Sequence, residues 1–450
     1  MKFAIKTNCL YLLFLLNFIA TIKASPELIV QNDDRNMIEV AEFGFLPGGR
    51  LTLNLMDLKW HELTGGVAAF YIRKGRILQE EYNSYGDRDH ILVDYDQECF
   101  LNNSFIRDEV NDGVSLVEYL PEQATEWTKT IEVKEGEQGL WEVLFVSCRP
   151  SRVSFKLLVD QLNPNGNYLS AGDIPLPYVY AFSSVAYAVI AVYWTGLLIL
   201  NKNNVQVFRA HWLMFVLLLC IVINKLLLSL KYHYMRLGLL SEGWKIGFYV
   251  FACIKGILSL LIIVLLASGW TFIKPFLSTR DKRIISMIIP LQVLANIASA
   301  IGNETALGSS DWPYWNTVLP LIDLASCSAI LWTILQTKKH LASAASVDGK
   351  EQDVLNKYKL WSSFYLVTLV YIYITRIIVQ LLQACLPFQY VTWFGEAVNE
   401  VTTFLFYVFV GYKFRPYPNN PYIQVTSNDD DGDEEEFDMT SPVQRVTSRT

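Results

Sequence analysis

The sequence predicts a membrane protein in which an antiparallel β-sandwich is followed by a seven-helix transmembrane bundle. Three observations support this fold class. Of the 450 residues, 52% are hydrophobic, and the mean hydropathy is +0.26, whereas soluble domains are less apolar. Residues 25–176 alternate between apolar and polar positions. Beyond them, residues 177–413 contain a series of long apolar segments.

The N-terminal 24 residues have the layout of a signal peptide. Lys2 and Lys6 form a basic start, Cys9–Ile22 is a short apolar stretch, and Ala24 is a small residue suited to cleavage. The apolar stretch is short for a membrane span. We therefore predict cleavage after Ala24 and entry into the secretory pathway, with an uncleaved anchor as the alternative.

Residues 25–176 are predicted to form the lumenal β-sandwich, similar in size to a single domain. Apolar residues alternate with polar ones in 51–55 and again in 155–159, the period of a half-buried strand. The segments 47–49 and 163–166 are rich in Gly, Pro and Asn and predict turns between strands. Short strands separated by such turns favour two packed antiparallel sheets.

The predicted lumenal region contains two cysteines and one glycosylation motif. Because Cys99 and Cys148 are its only cysteines, and the compartment is oxidising, we predict a disulfide between them. Asn102 begins an N-x-S/T motif, and Asn303 begins another near the membrane. The segment Arg73–Arg76 matches the R-x-x-R form of a protease site, although its position after an apolar run favours a hairpin with solvated charges.

Seven apolar segments are each close to the roughly 20 residues that cross a bilayer. The predicted spans are 178–200, 210–230, 246–270, 284–302, 314–336, 360–385 and 392–412. With a lumenal N-terminus, the lumenal loops carry only Lys231, Arg236 and Lys245, whereas the cytosolic loops are rich in Lys and Arg. This bias predicts a cytosolic C-terminus.

Ionisable residues within the spans form a predicted polar layer. At about 1.5 Å per residue they fall at similar depths below the lumenal ends of their helices. We expect Arg376 to pair with Glu400 or Asp323. The layer is either a set of salt bridges that fixes helix packing or a lumen-accessible cavity that holds a ligand, lipid headgroup or ion. Its members are Lys225, Lys255, Asp323, Arg376, Glu396 and Glu400.

Catalysis and nucleic-acid binding are not expected. The sequence has no H-E-x-x-H motif and no histidine at the middle of a span to activate a serine, so we predict no catalytic residue, metal or cofactor. The net charge of −7 lacks the basic footprint of nucleic-acid-binding proteins.

Residues 414–450 are predicted to form a disordered cytosolic tail, with an acidic run at Asp429–Asp438. Tyr422 and Val425 fit the motif Y-x-x-Φ, where Φ is a bulky apolar residue that clathrin-type adaptors bind together with the tyrosine. The tail therefore predicts a sorting signal.

Several long motifs that are shared with a known family lie in order along residues 40–425. They are Asn167–Pro177, His211–Met214, Gly269–Lys274, Ile289–Asn296, Tyr371–Ile378 and Gly411–Arg415 followed by Asn420–Tyr422. In these motifs the chain resembles the lung seven-transmembrane receptor family, also called GOLD-domain seven-transmembrane proteins, and particularly its Golgi branch of orphan receptor homologues. The resemblance implies a GOLD-like sandwich, residence in the Golgi and trans-Golgi network, and a role in vesicle traffic. Arg376 and Tyr422 lie within matching motifs.

Three functions follow as hypotheses. The first is a trafficking receptor or chaperone that binds lumenal cargo, is embedded among membrane lipids, recruits clathrin-type adaptors and cycles through endosomes and the cell surface. The second is a receptor that couples a lumenal or extracellular ligand to a heterotrimeric G protein, although 278–281 lacks the D-R-Y motif of such receptors. The third is a channel or lipid-handling protein that uses the polar layer.

Overall fold

The computed structural model describes residues 22–23, 27–60, 67–75, 101, 104–121, 124–148, 152–201, 207–240, 242–267, 279–304 and 363–417. Its N-terminal part is a sandwich of two four-stranded antiparallel sheets. The strands are β1 (Ile22–Lys23), β2 (Glu27–Asp33), β3 (Met37–Phe45), β4 (Arg50–Trp60), β5 (Ala68–Gly75), β6 (Ser115–Tyr119), β7 (Trp127–Glu132), β8 (Gly139–Ser147) and β9 (Val153–Leu162). The first sheet has the order β2-β9-β4-β7 and the second β3-β8-β5-β6.

Alternating side chains of facing strands form the sandwich core. Leu51, Leu53 and Leu55 of β4 are fully buried, and Trp141 and Phe145 of β8 meet them from the opposite sheet. The polar residues between these positions point outward, because successive side chains of a strand lie on opposite faces. This arrangement confirms the predicted antiparallel sandwich.

Helix α1 (Ser104–Asn111) covers the outer face of the second sheet. Ile106 packs there with Ala69 and Val146, in a cluster that also includes Cys148. Cys148 is disulfide-bonded. Cys99 and Asn102 lie outside the described residues, so the Cys99–Cys148 pairing and glycosylation at Asn102 stay predictions.

Part of the R-x-x-R segment is built into strand β5. Arg73 pairs with Ser115 of β6, and residues 73–75 pair with β8. The ammonium of Lys74 lies 2.9 Å from a carboxylate oxygen of Glu137. Arg76 lies outside the described residues. A protease that recognises residues 73–76 would have to displace residues 73–75 from the sheet; cleavage at this segment stays untested.

The C-terminal part is helical. The helices are α2 (Leu176–Asn201), α3 (Arg209–Arg236), α4 (Glu242–Ala267), α5 (Thr279–Glu304), α6 (Ser363–Tyr373), α7 (Val379–Cys385) and α8 (Val391–Lys413). A π-helical turn, Ile374–Ile378, joins α6 to α7. Within the described part of the chain, α2 to α5 are long and apolar enough to cross a membrane, and α6 is a shorter apolar helix. The predicted span 314–336 lies outside the described residues.

The sandwich and the start of the C-terminal tail, residues 414–417, are at opposite ends of the bundle. At the sandwich end, the backbone N–H of Tyr168 donates to the carbonyl of Arg236, which ends α3. At the tail end, Phe414 follows α8 and is fully buried against Phe364. Phe414, which is predicted to belong to the disordered tail, is part of the bundle core, because its ring packs against Phe364 inside the helices.

The two-residue strand β1 pairs with β10 (Leu239–Leu240), just after α3. Strand β1 lies within the predicted signal peptide. Cleavage after Ala24 would remove this pairing from the mature chain.

Candidate functional site

Four helices direct polar side chains toward one another inside the bundle. Helix α3 supplies Lys225, α2 supplies Tyr180, α4 supplies Lys255, and α8 supplies Glu396 and Glu400. Glu396 and Glu400 share a face of α8 because residues four apart lie one turn above each other. We call these five residues the polar cluster. Its two ammonium groups and two carboxyl groups balance in formal charge.

The centre of the cluster is a salt bridge between Lys225 and Glu400. The ammonium of Lys225 donates to Oε1 of Glu400, and the two side chains are only 9% and 7% exposed. The same ammonium lies 5.3 Å from the centre of the Tyr180 ring, which is within range of a cation–π interaction. Lys225 is thus bound by α8 and α2 together, and it connects three helices.

The second carboxyl group of α8 is connected to α2. The Tyr180 hydroxyl donates to Oε2 of Glu396 at 3.1 Å. Lys255 of α4 lies close enough for its charge to act on Glu396, Glu400 and Lys225. Two adjacent turns of α8 are therefore connected to neighbouring helices through charged or hydrogen-bonded groups.

Three buried oxygens around the cluster retain hydrogen-bonding capacity. Among the described residues, Oε2 of Glu400, the hydroxyl of Tyr187 and Oδ1 of Asn224 have no hydrogen-bond partner. Nearby, the hydroxyls of Ser259 and Tyr407 hydrogen-bond to each other at 2.6 Å. Buried polar atoms usually have partners, so these oxygens are the positions at which water or a polar ligand would bind. The salt bridge fits the structural interpretation of the layer, and the oxygens fit the ligand-binding one.

The structure identifies Lys225 as a partner of Glu400. The pairing of Arg376 with Glu400 or Asp323 stays a prediction, because depth alone does not specify which helices are neighbours. Arg376 lies in the π-helical turn. Its side chain and all of Asp323 lie outside what the structure describes. A π-helical turn within an α-helix is frequent at functional sites.

The other predicted site residues lie apart from the polar cluster or outside the described residues. Asn303 lies in the last turn of α5, where its side-chain amide faces Ser299 at 3.5 Å. Tyr422 and Val425 lie outside the described residues. The polar layer is therefore the one predicted set for which the structure describes contacts between several members.

Sequence reasoning missed the uncharged members of the site. Tyr180 and Tyr187 are seven residues apart, so they lie on the same face of α2, and a pattern of charged residues alone does not reveal their hydroxyls. The signal was present: polar groups in otherwise apolar helices are costly unless they find partners. Asp173, which precedes α2 and approaches Glu396, was missed for a different reason, since it lies outside the predicted spans.

A second set of contacts joins the sandwich to the bundle through residues 163–175, here called the joint segment. The backbone N–H of Ala171 donates to the carbonyl of Gly44 in β3 at 2.9 Å. In return, the N–H of Gly44 donates to the hydroxyl of Ser170 at 3.0 Å. On the bundle side, the N–H of Trp393 in α8 donates to the carbonyl of Gly172 at 3.2 Å. The joint segment therefore bonds to both domains within three residues.

Close packing also defines the joint. A Cβ atom at Gly172 would lie 2.8 Å from the carbonyl oxygen of Phe388 and 2.9 Å from the hydroxyl of Thr392. A Cβ atom at Gly44 would lie 3.1 Å from the Phe388 ring. Both glycines thus allow the sandwich and the segment before α8 to approach each other at contact distance.

At the tail end, His211 connects α3 to the start of the tail. Its ring Nδ1 accepts from the backbone N–H of Phe208 at 3.0 Å, so Nε2 carries the proton and donates to the carbonyl of Phe414 at 2.8 Å. The carbonyl of His211 accepts from the indole of Trp194. The exit point of the tail is therefore held by a buried, neutral histidine.

Two comparisons with known proteins agree with this architecture. The family model described as GOST, seven transmembrane domain, matches residues 175–421. The chain is also 29% identical over 430 residues to a protein of Arabidopsis thaliana named Candidate G-protein coupled receptor 6, an alignment that covers 93% of this chain and 96% of the relative. Both matches confirm the resemblance drawn from the sequence motifs. The chain is a receptor-like, multi-pass membrane protein and belongs to the GOST seven-transmembrane family.

Proposed function

We propose that this protein is a trafficking receptor or chaperone of the Golgi and trans-Golgi network. In this proposal the lumenal sandwich binds cargo, the helices anchor it in the membrane, and the cytosolic tail recruits clathrin-type adaptors. The protein would cycle through vesicles between the Golgi, endosomes and the cell surface.

The observation that carries the proposal is the placement of the sandwich and the start of the tail at opposite ends of the bundle. Trp393, at the start of α8, contacts the joint segment, whereas Phe414, just after α8, contacts His211 at the far end. A cargo-binding domain and an adaptor-binding tail have to face different compartments. This arrangement meets that requirement for a receptor that transmits cargo binding to coat recruitment.

The anchored start of the tail also suits adaptor binding. Phe414 is fully buried, so the tail begins at a defined point, and Tyr422 follows eight residues later. An extended segment of that length spans roughly 26 Å at about 3.3 Å per residue. An adaptor that adds the segment as a β-strand would fill one pocket with Tyr422 and another with Val425.

The test is the steady-state location and recycling of tagged full-length protein in living cells. We expect Tyr422→Ala and Val425→Ala each to shift the protein from the Golgi toward the cell surface, because each removes one side-chain anchor. Neutralising Asp429–Asp438 should have a smaller effect in the same direction, since it removes only long-range attraction to a basic adaptor surface.

The matched control is Tyr417→Ala. Tyr417 is half exposed on the same segment, but the residue three positions later is Asn420, which does not fit the motif. This variant should keep the wild-type location. A Tyr422→Ala protein with unchanged location and recycling would contradict the sorting function of the tail.

A second candidate function is coupling to a heterotrimeric G protein, which is favoured by the name of the Arabidopsis relative. Nucleotide exchange on purified G protein, measured with this chain in nanodiscs, distinguishes the two. Acceleration that depends on the chain would favour signalling, whereas unchanged exchange together with a Tyr422-dependent location would favour traffic.

A further inference from the structure

The joint between the sandwich and the bundle contains a carboxyl group that faces a second carboxyl group. Asp173 belongs to the joint segment, one residue after Gly172, and is half-buried. The hydroxyl of Thr392 in α8 donates to its carboxyl group. Glu396, one turn further along α8, lies close enough for its charge to act on Asp173. Seating the joint segment on α8 therefore brings two acidic groups together.

We propose that this joint is a proton-operated latch, in which protonation of Asp173 favours the seated arrangement of the joint segment on α8 and loss of the proton loosens it. Two carboxyl groups that lie close together with little water around them cannot both be ionised without a large electrostatic cost. Releasing the segment would separate them and restore hydration to Asp173.

The surrounding charged and titratable groups shape this behaviour. Tyr232 of α3 lies near Asp173. Glu396 itself accepts a hydrogen bond from Tyr180 of α2 and faces Lys225 of α3, Lys255 of α4 and Glu400 of its own helix. These two cations compensate the carboxylates of α8. Asp173 lies at the edge of this set, and its ionisation would add a negative charge to the two that the cations already balance.

The other described contacts of the joint segment bring no positively charged group to Asp173. The guanidinium of Arg236, at the end of α3, donates to the hydroxyl of Tyr178. The sandwich reaches the segment through the backbone of Gly44 and the hydroxyl of Ser170. The protonation of Asp173 is therefore governed by burial, Thr392 and Glu396.

These surroundings determine the pH range of the latch. Burial raises the pKa of Asp173, the hydrogen bond from Thr392 opposes this, and the charge of Glu396 adds to it, so that the pKa is about 6 instead of the ordinary 3.8. A raised pKa in the seated state means that seating is favoured at low pH and is weakened as the pH rises through about 6. If the sandwich faces the secretory lumen, as the proposed function requires, it would be held most firmly in the more acidic compartments.

The latch is tested by hydrogen–deuterium exchange of the joint segment in the full-length protein in nanodiscs, corrected for the intrinsic effect of pH on exchange. With a pKa of about 6 seated and 3.8 released, the opening equilibrium should rise about tenfold between about pH 5 and about pH 7.5. Asp173→Asn removes the ionisation and keeps the side-chain size. In this variant we expect the joint segment to stay protected against exchange at about pH 7.5 and to show no tenfold change.

Two further variants keep the test decisive. Asp160→Asn removes an acidic group from β9, elsewhere on the sandwich, and should leave the tenfold change intact. Glu396→Gln removes the charge that acts on Asp173 and should move the midpoint to lower pH. A wild-type joint segment that exchanges equally at both pH values, or an Asp173→Asn protein that keeps the full change, would overturn the proposal. If Asp173→Asn does not fold, an unshifted midpoint in Glu396→Gln overturns it.

Discussion

The salt bridge between Lys225 and Glu400 predicts a strong energetic coupling between α3 and α8. Lys225→Met and Glu400→Gln each remove one charge at nearly constant volume. Because the two side chains are only 9% and 7% exposed, water cannot solvate the remaining charge, and each single change should cost about 3–5 kcal/mol of unfolding free energy. The Tyr180 ring and Lys255 partly compensate, which favours the lower end of that range.

The double variant shows whether the two side chains stabilise the protein as a pair or independently of each other. With both charges removed, no uncompensated charge is left, so the double change should cost well under the sum of the single changes. We expect a coupling energy of at least about 2 kcal/mol. Unfolding in detergent micelles, followed by tryptophan fluorescence, measures it.

A surface pair of similar geometry provides the control. Lys129 and Glu118 lie 2.7 Å apart on the sandwich, with side chains 41% and 20% exposed. Their cycle of Lys129→Met and Glu118→Gln should give a coupling of only about 0.2–1 kcal/mol. Losses at Lys225 and Glu400 that add within about 0.5 kcal/mol would refute the reasoning, because independent sites add.

Two further predictions concern the disulfide and the joint. Cys148→Ser should lower the unfolding free energy by about 2–5 kcal/mol and add one thiol, that of Cys99, to those that maleimide labels, whereas labelling of both Cys99 and Cys148 in unreduced, denatured wild-type protein would exclude their pairing. Gly172→Ala places a Cβ atom 2.8 Å from the carbonyl oxygen of Phe388 and should destabilise the protein by about 1–3 kcal/mol. Gly196→Ala, which meets nothing within 4 Å, should be neutral or slightly stabilising. Thermal unfolding of both variants in detergent measures the difference, and equal losses would contradict the close packing at the joint.

The local pattern of the sequence was sufficient for the sandwich. Leu51, Leu53 and Leu55 were predicted to share a face of one strand, and all three are fully buried in β4. Such a prediction works because the period of two is a property of the extended backbone itself, independent of which strand lies opposite. The order of strands in each sheet was not predictable in this way, since it depends on pairs far apart in the chain.

The charged residues of the bundle show what only the tertiary structure decided. The sequence alone identified Lys225, Glu396 and Glu400 as members of a polar layer, because charges in apolar helices stand out and the rise per residue determines their depth. Depth in the membrane is only one of the coordinates that decide whether two side chains meet. The pairing of Lys225 with Glu400, 175 positions apart, depends on which helices are neighbours and on how each is rotated. The same holds for Asp173, whose approach to Glu396 exists only when the joint segment packs on α8. Local periodicity therefore determined the elements, and the packing of elements distant in sequence determined the site.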